Sequence, residues 1–172
     1  MFRKATMDDL DRICEIYSKI HTLEEEGKSS VGWVRTVYPT RKTAEDSIIN
    51  GDMFVEEVDG LIAAAAKINQ EQVDVYSNVK WTYDVPDDEI MVLHTLVVSP
   101  DLGRKGHGSG FVSFYESYAL EHGCHYLRMD TNEKNINARA LYKKLGYTEA
   151  GIVPCRFNGI PGVHLVCLEK RI

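Results

Sequence analysis

Apolar residues recur at helical spacing twice in the first fifty positions. The first helix is predicted to follow a cap at Thr6. Its buried face is formed by Leu10, Ile13, Tyr17 and Ile20. A second helix is predicted to begin at a cap on Thr43 and to end at Gly51. Residues 27–41 lack either period, so we expect a loop between the two helices.

The middle of the chain changes to runs of β-branched and apolar residues. Two such runs, residues 53–58 and 61–68, flank Asp59-Gly60, a pair typical of the tight turn in a β-hairpin. Residues 69–88 are polar with interspersed aromatic residues, and this pattern fits either an extended hairpin arm or a lid. Residues 90–98 are almost all apolar, which predicts a strand covered on both faces at the centre of a sheet.

The second half alternates strands and helices. After the central strand, a helix with a recurring aromatic face is predicted to end at His122-Gly123. A strand follows at residues 126–130, then another helix, and then a hairpin whose turn falls within residues 158–162. A strand, a helix and a strand in succession are typical of a crossover between parallel neighbours. The pattern therefore predicts an α/β chain.

A glycine-rich loop, LVVSPDLGRKGHGSG at residues 96–110, joins the central strand to the helix that follows. The first turn of a helix leaves backbone N–H groups unpaired at the positive end of the helix dipole, which is a seat for an anion. Gly106 and Gly108 lack the side chains that would keep a phosphate away from the backbone, and Arg104 and Lys105 add positive charge.

Three families of phosphate-binding loop share this physics, and two of them fail here. A Walker A loop ends in GKS or GKT, whereas Gly108 is followed by Ser109. A dinucleotide fingerprint needs a third glycine where Phe111 stands. Residues 103–108 resemble the loop Q/R-x-x-G-x-G/A of the GNAT N-acetyltransferases, with Gly103 in place of the usual glutamine or arginine.

A second stretch matches the other signature of that family. Residues 135–147, from Asn135 to Tyr147, resemble N-x-x-A-x-x-L-Y-x-K/R-x-G-F/Y at every fixed position. The resemblance implies the GNAT fold, a mixed and mostly antiparallel sheet of about seven strands flanked by about four helices, with a splayed central parallel pair of strands. At this length, residues 1–172 are predicted to form a single domain.

The resemblance also implies roles for individual residues. Acetyl-CoA would be the co-substrate, and a primary amine on a small molecule or a peptide would be the acceptor. Backbone groups would bind the pantetheine arm, the loop would hold the pyrophosphate, and Tyr142 would be both a cofactor contact and the general acid. The implied cofactor contacts are Leu96, Val97, Val98, Arg104, Lys105, Gly106, His107, Gly108, Ser109, Asn135 and Tyr142. The segment between the first two helices, with Trp33 and Tyr38, would line the acceptor pocket.

The general base is less defined by the sequence. The glutamate that many family members carry on the central strand corresponds to Val92. His94 lies where one member of the superfamily has a catalytic histidine, and a neutral imidazole suits proton relay. Glu89 is the second candidate, and direct attack by an already neutral amine is the third. With no base assigned, a binding module that senses acyl-CoA without turnover remains an alternative to an enzyme.

The composition limits which binding partners and which cellular compartment we expect. A net charge of −6 disfavours nucleic acid and fits a cationic amine. No segment has the apolar length of a membrane span, and the charged start lacks the core of a signal peptide, so we expect a cytoplasmic protein away from membranes. The four cysteines form no C-x-x-C pair, so no metal site is expected. Dimers are common in the family, which makes a homodimer compatible with the resemblance.

Overall fold

The computed structural model describes residues 1–102 and 105–172, so Gly103 and Arg104 lie outside the described part of the chain. The strands are β1 (Phe2–Lys4), β2 (Met53–Val58), β3 (Leu61–Asn69), β4 (Ile90–Val98), β5 (Tyr126–Asn132), β6 (Thr148–Phe157) and β7 (Ile160–Arg171). The helices are α1 (Leu10–Glu25), α2 (Arg41–Ile49), α3 (His107–Glu121) and α4 (Ile136–Lys144). Within the described ranges, none of these helices is long and apolar enough to cross a lipid bilayer.

The seven strands form one mixed sheet in the order β1-β2-β3-β4-β5-β7-β6. Strands β4 and β5 pair in parallel, and every other neighbouring pair is antiparallel. The parallel pair arises because α3 carries the chain from the end of β4 back to the start of β5. This confirms the predicted mixed, mostly antiparallel sheet with four helices.

The helices divide between the two faces of the sheet according to their apolar stripes. Helices α3 and α4 pack on one face, where Phe111 and Tyr115 are fully buried. Helices α1 and α2 cover the half of the other face that β1, β2 and β3 form. The predicted stripe on α1 is confirmed, since its four apolar residues all lie in this second core. The remaining half of that face is covered without a helix.

Residues 70–89, here called the strap, cover that remaining half, and they form neither a hairpin arm nor a lid. The strap contains two 3-10 turns, Asp74–Asn78 and Asp87–Glu89. Its aromatic and aliphatic side chains pack on β4, β5 and β7. Trp81 lies 4.1 Å from the guanidinium of the buried Arg128, and the buried carboxylate of Glu169 accepts the N–H of Thr82 at 2.8 Å. These buried charges explain why a polar segment packs tightly on the sheet.

Helix α2 begins three residues earlier than its sequence predicts. The N-cap is Thr40, whose backbone is extended, and the helix starts at Arg41. Thr43 is the third helical residue, and its hydroxyl accepts the N–H of Thr40 at 3.0 Å. The predicted cap at Thr43 is therefore wrong, because both threonines belong to one capping box and only the first is outside the helix.

Strands β4 and β5 diverge halfway along their length. Their parallel pairing ends at Leu93 and Met129. Beyond that point the register of β4 with β3 shifts between Ala65 and Lys67, and Thr95 adopts a φ of 54°. A β-branched residue rarely occupies this left-handed region, so the irregularity is a bulge held by its surroundings. The bulge turns the rest of β4 away from β5 and confirms the predicted splay.

Tyr115 of α3 lies beneath the last paired residues of the two strands. Its fully buried hydroxyl lies 2.6 Å from the carbonyl oxygen of Met91 on β4 and 3.1 Å from that of Arg128 on β5. One side chain thus bridges both strands just before they separate.

We expect the change Tyr115→Phe to lower the free energy of unfolding by about 0.5–1.5 kcal/mol, because it removes the buried hydroxyl that is hydrogen-bonded to both strands. Urea unfolding followed by circular dichroism measures this. The matched control is Tyr118→Phe on the same helix, whose hydroxyl has no hydrogen-bond partner in the described part of the chain. Equal stability of the two variants would show that Tyr115 does not bridge the strands.

Candidate active site

A cavity of about 340 Å³ opens where β4 and β5 separate. Its walls come from the loop between α1 and α2, from α2, from the start of the strap, from β4 and β5, from α4, and from the turn between β6 and β7. The predicted site residues that line it are His94, Leu96, Asn135 and Tyr142, together with Trp33 and Tyr38 of the predicted acceptor wall. Within the described ranges, no group of three or more His, Cys, Asp or Glu residues is arranged to hold a metal ion.

The glycine-rich loop leads into the first turn of α3 as its sequence predicts. Gly106 precedes the helix with a φ of 85°, and its carbonyl oxygen accepts both the N–H of Gly110 and the hydroxyl of Ser109, each at 2.8 Å. The amides of the first turn therefore point out of the helix end, where an anion is favoured. A side chain at Gly108 would come within 3.3 Å of Leu141 on α4, so this glycine also permits close packing of the two helices.

Two residues of this loop that were predicted to contact the cofactor have side chains that are hydrogen-bonded to other groups of the protein. The His107 imidazole lies 2.9 Å from the Glu56 carboxylate on β2, and the Ser109 hydroxyl is bonded to the loop itself. Their backbone amides are what remains for a phosphate. Lys105 is exposed beside the helix end, whereas Arg104 lies outside the described residues. The roles predicted for these four residues stay predictions.

The backbone of β4 beyond the bulge offers hydrogen bonds on its open side. The N–H of Ser99 donates to the Ala63 carbonyl on β3 at 2.8 Å. Because main-chain groups alternate in direction along a strand, those of Val97 also face β3, whereas those of Leu96 and Val98 face the gap left by β5. An extended chain with amide groups could pair with that edge as an added strand does.

Tyr142 of α4 is almost fully buried and lines the cavity. Its hydroxyl has no hydrogen-bond partner in the part of the chain that the structure describes. Burial, and then the nearby charge of Asp130, raise the pKa of this phenol well above its ordinary value. Tyr142 therefore stays protonated at neutral pH and has a proton to donate. Asn135 caps the same helix, accepting the N–H of Ala138 at 3.2 Å through its side-chain oxygen.

The two predicted bases have unequal positions. His94 lines the cavity, and its Nε2 donates to the Asn69 side-chain oxygen at 2.9 Å. Burial, and then the charge of Lys67, lower the pKa of His94 to about 4, so the imidazole is neutral at pH 7 and is a weak base. Glu89 is exposed in the last turn of the strap, before the start of β4, and does not line the cavity.

A carboxyl group that the sequence did not single out lies in the cavity wall. Asp130 is on β5, just past the point where the strand leaves β4, and its Oδ2 accepts the Tyr76 hydroxyl at 2.8 Å. Burial raises the pKa of Asp130 to about 6, against the opposing effect of that hydrogen bond. In the described residues its Oδ1 has no partner. The sequence did offer one signal for this residue, an acidic side chain near the end of a strand beside the splay. Its hydrogen-bond partner Tyr76 could not be predicted, because it lies 54 positions away in the chain.

The loop between α1 and α2 is fixed by groups on α1 and β4. The carboxylate of Glu24 accepts the N–H groups of Val31 and Gly32, each at 2.9 Å. The Tyr38 hydroxyl is hydrogen-bonded to the Thr95 hydroxyl at the bulge. These contacts hold Trp33 and Tyr38 against the cavity. They also give Glu24, in the last turn of α1, a structural role.

The sequence as a whole matches a known family over most of this architecture. Residues 10–147 match the sequence model described as the acetyltransferase (GNAT) family. The chain belongs to the GNAT family. The matched range includes both glycine-rich and asparagine-led signatures as well as β4, the bulge and β5.

Individual proteins and a solved structure are also similar to this chain. An uncharacterised N-acetyltransferase of Methanocaldococcus jannaschii is 26% identical over 88% of this chain and 62% of its own length. The uncharacterised protein YdhI of Bacillus subtilis is 29% identical over 65% of this chain and 64% of its own. The chain thus spans less than two thirds of these curated relatives. A crystal structure of a GNAT acetyltransferase from Streptococcus agalactiae is 25% identical, covers 100% of this chain and 95% of that one, and superposes with a TM-score of 0.80.

Proposed function

We propose that this GNAT chain is an acetyl-CoA-dependent N-acetyltransferase, which moves an acetyl group to a primary amine by direct attack on the thioester. The observation that carries the proposal is one cavity at the splay that contains both a half-buried carboxyl group with a raised pKa, Asp130, and a protonated phenol, Tyr142. Acyl transfer from a thioester to an amine is accelerated by a base that accepts a proton from the amine and by an acid that protonates the departing sulfur.

Acetyl-CoA would supply an activated acyl carbon, and two parts of this chain have groups suited to binding it. The first-turn amides of α3 suit a pyrophosphate, and the open backbone of Leu96 and Val98 suits the amides of a pantetheine arm. We infer that these groups bind and orient the co-substrate, so that its acyl end enters the cavity between Asp130 and Tyr142.

Asp130 is the proposed general base. An alkylammonium has a pKa near 10 and must lose a proton before or as its nitrogen bonds to the acyl carbon. With a pKa of about 6, Asp130 is ionised at pH 7, and it is a stronger base than an ordinary aspartate. The ammonium first loses one proton to solvent, and the neutral amine attacks the acyl carbon. As the C–N bond forms and the C–S bond breaks, Asp130 takes the second proton from nitrogen and Tyr142 gives its proton to the departing sulfur. Exchange with water then restores both side chains.

Thiol release tests this proposal against an acyl-CoA sensor, the alternative class. Acetyl-CoA is incubated with the protein and a set of primary amines, and the free thiol and the acetylated amine are both quantified. Amine-dependent release of both products is the expected result. Coenzyme A binding in calorimetry without release on any amine would favour the sensor.

The four cysteines are free thiols, which supports our proposal of a reducing cytoplasmic compartment.

The change Tyr76→Phe tests the base through pH dependence. The Tyr76 hydroxyl stabilises the ionised form of Asp130, so its loss raises the pKa of that carboxyl group further. Activity requires the carboxylate, and the acidic limb of kcat/KM should therefore move from near pH 6 to higher pH. The control is Tyr83→Phe in the same strap, whose hydroxyl has no hydrogen-bond partner in the described residues. An unmoved limb in Tyr76→Phe, or a limb moved by His94→Gln instead, would point away from Asp130.

A further inference from the structure

We propose that the acceptor is a compact monoamine with an aromatic or branched apolar body, and that a roof over the cavity excludes the amines of folded proteins and long peptides. This rests on the proposed function, and it narrows the substrate class of the same site. The roof is defined as residues 31–38 together with the turn at residues 158–159.

The roof spans the cavity and rests on both of its sides. At one side, a side-chain carbon at Gly32 would lie 2.3 Å from the side-chain amide nitrogen of Asn132, so the loop backbone contacts the side chain of the last residue of β5. At the other side, a side-chain carbon at Gly159 would lie 3.0 Å from a methyl group of Val37. The loop therefore reaches from β5 to the turn between β6 and β7, across the mouth of the cavity.

The roof is tied down from α1 at two places. Glu24 holds the backbone of Val31 and Gly32 at the start of the roof. Beyond its end, the Nε2 of the buried His21 donates to the carbonyl oxygen of Pro39 at 2.9 Å. Both contacts use backbone groups of the loop, so they fix its path irrespective of the side chains.

The cavity walls specify the body of the amine. Trp33 and Tyr38 lie edge to face with ring centroids 6.1 Å apart, and Phe157 and Ile160 also line the space. The cavity volume of about 340 Å³ is at the low end of the range for small-molecule sites, and the acyl end of the co-substrate must share it. The volume left for the acceptor suits one ring or one branched chain.

The charges specify a single ammonium group. Three carboxyl groups line the cavity, namely Asp46, Glu71 and Asp130. Glu71 is paired with Lys67 at 2.5 Å, and Asp46 is paired with Lys42 at 2.7 Å. Only Asp130 has no cationic partner in the described residues. One unneutralised carboxylate matches one ammonium and offers no second site for a polyamine.

Steady-state thiol release with four amines tests the inference: 2-phenylethylamine, ethylamine, spermidine and a hexapeptide with a free N-terminus. We expect kcat/KM for 2-phenylethylamine to exceed that for each of the other three by about tenfold or more, the usual discrimination from burying an apolar group. The change Trp33→Ala should lower kcat/KM for 2-phenylethylamine about tenfold more than it lowers kcat/KM for ethylamine. Trp33→Phe, which keeps a ring, should retain most of the preference.

The outcomes separate this inference from the function on which it rests. Preferred turnover of the hexapeptide or of spermidine would overturn the compact-amine class and leave N-acetyl transfer intact. An equal effect of Trp33→Ala on both small amines would overturn the role of the aromatic wall. Absence of turnover with every amine, while coenzyme A still binds, would overturn the proposed function itself.

Discussion

Replacing Asp130 with asparagine is expected to lower kcat/KM for acetyl transfer by about 10²- to 10³-fold, within the usual range for loss of a general base. Asparagine keeps the size of the side chain, and its carbonyl oxygen still accepts the Tyr76 hydroxyl, so the strap and β5 stay in place. What it loses is the ability to take a proton. The measurement is the initial rate of thiol release at pH 8, where the wild-type carboxyl group is ionised.

The matched control for this change is Asp46→Asn, which removes another carboxylate from the same cavity. Asp46 is paired with Lys42 on the surface of α2 and has no proposed role in proton transfer. We expect it to change the rate by less than about threefold, since an exposed ion pair contributes little. If the two variants lose activity equally, the cavity needs negative charge in general and Asp130 is not its base.

Replacing Tyr142 with phenylalanine is expected to lower kcat by about 10²-fold and to leave the dissociation constant of coenzyme A almost unchanged. The buried ring keeps its packing, whereas the departing sulfur loses its proton donor. Pre-steady-state kinetics and calorimetry together separate the chemical step from binding. Unchanged turnover would remove Tyr142 from the mechanism.

The control for the second change is Tyr147→Phe, at the end of the same signature. Tyr147 is also buried, but its hydroxyl donates to Glu116 at 3.1 Å and does not line the cavity. Any loss of activity caused only by removing a buried phenol near α4 should appear in both variants. A rate loss confined to Tyr142→Phe identifies its hydroxyl as the group that acts on the substrate.

Most helices and strands could be predicted from the sequence, because each depends on a local pattern of residues. The run at residues 90–98 and the hairpin pair Asp59-Gly60 each specify their element from short-range chemistry, and the two signatures locate α3 and α4. The strap was not readable, because its packing depends on Arg128 and Glu169, charged residues that look like surface positions until their partners are known.

The proposed catalytic groups could be predicted from the sequence only in part. Tyr142 is fixed by a signature that carries its own position on α4. The base is different, since what distinguishes Asp130 from His94 is the environment and not the residue type. Burial makes a carboxyl group more basic and an imidazole less basic, so the same cavity that raises the pKa of Asp130 lowers that of His94. Sequence spacing cannot report that difference.

The central claim is that the splay between β4 and β5 is a site of acetyl transfer to an amine. The most direct test is to follow thiol release from acetyl-CoA with a set of primary amines while mass spectrometry quantifies the acetylated product. We expect amine-dependent release, with one acetylated amine formed per thiol. Binding of coenzyme A with no thiol release above the rate without protein, on every amine tried, would contradict it.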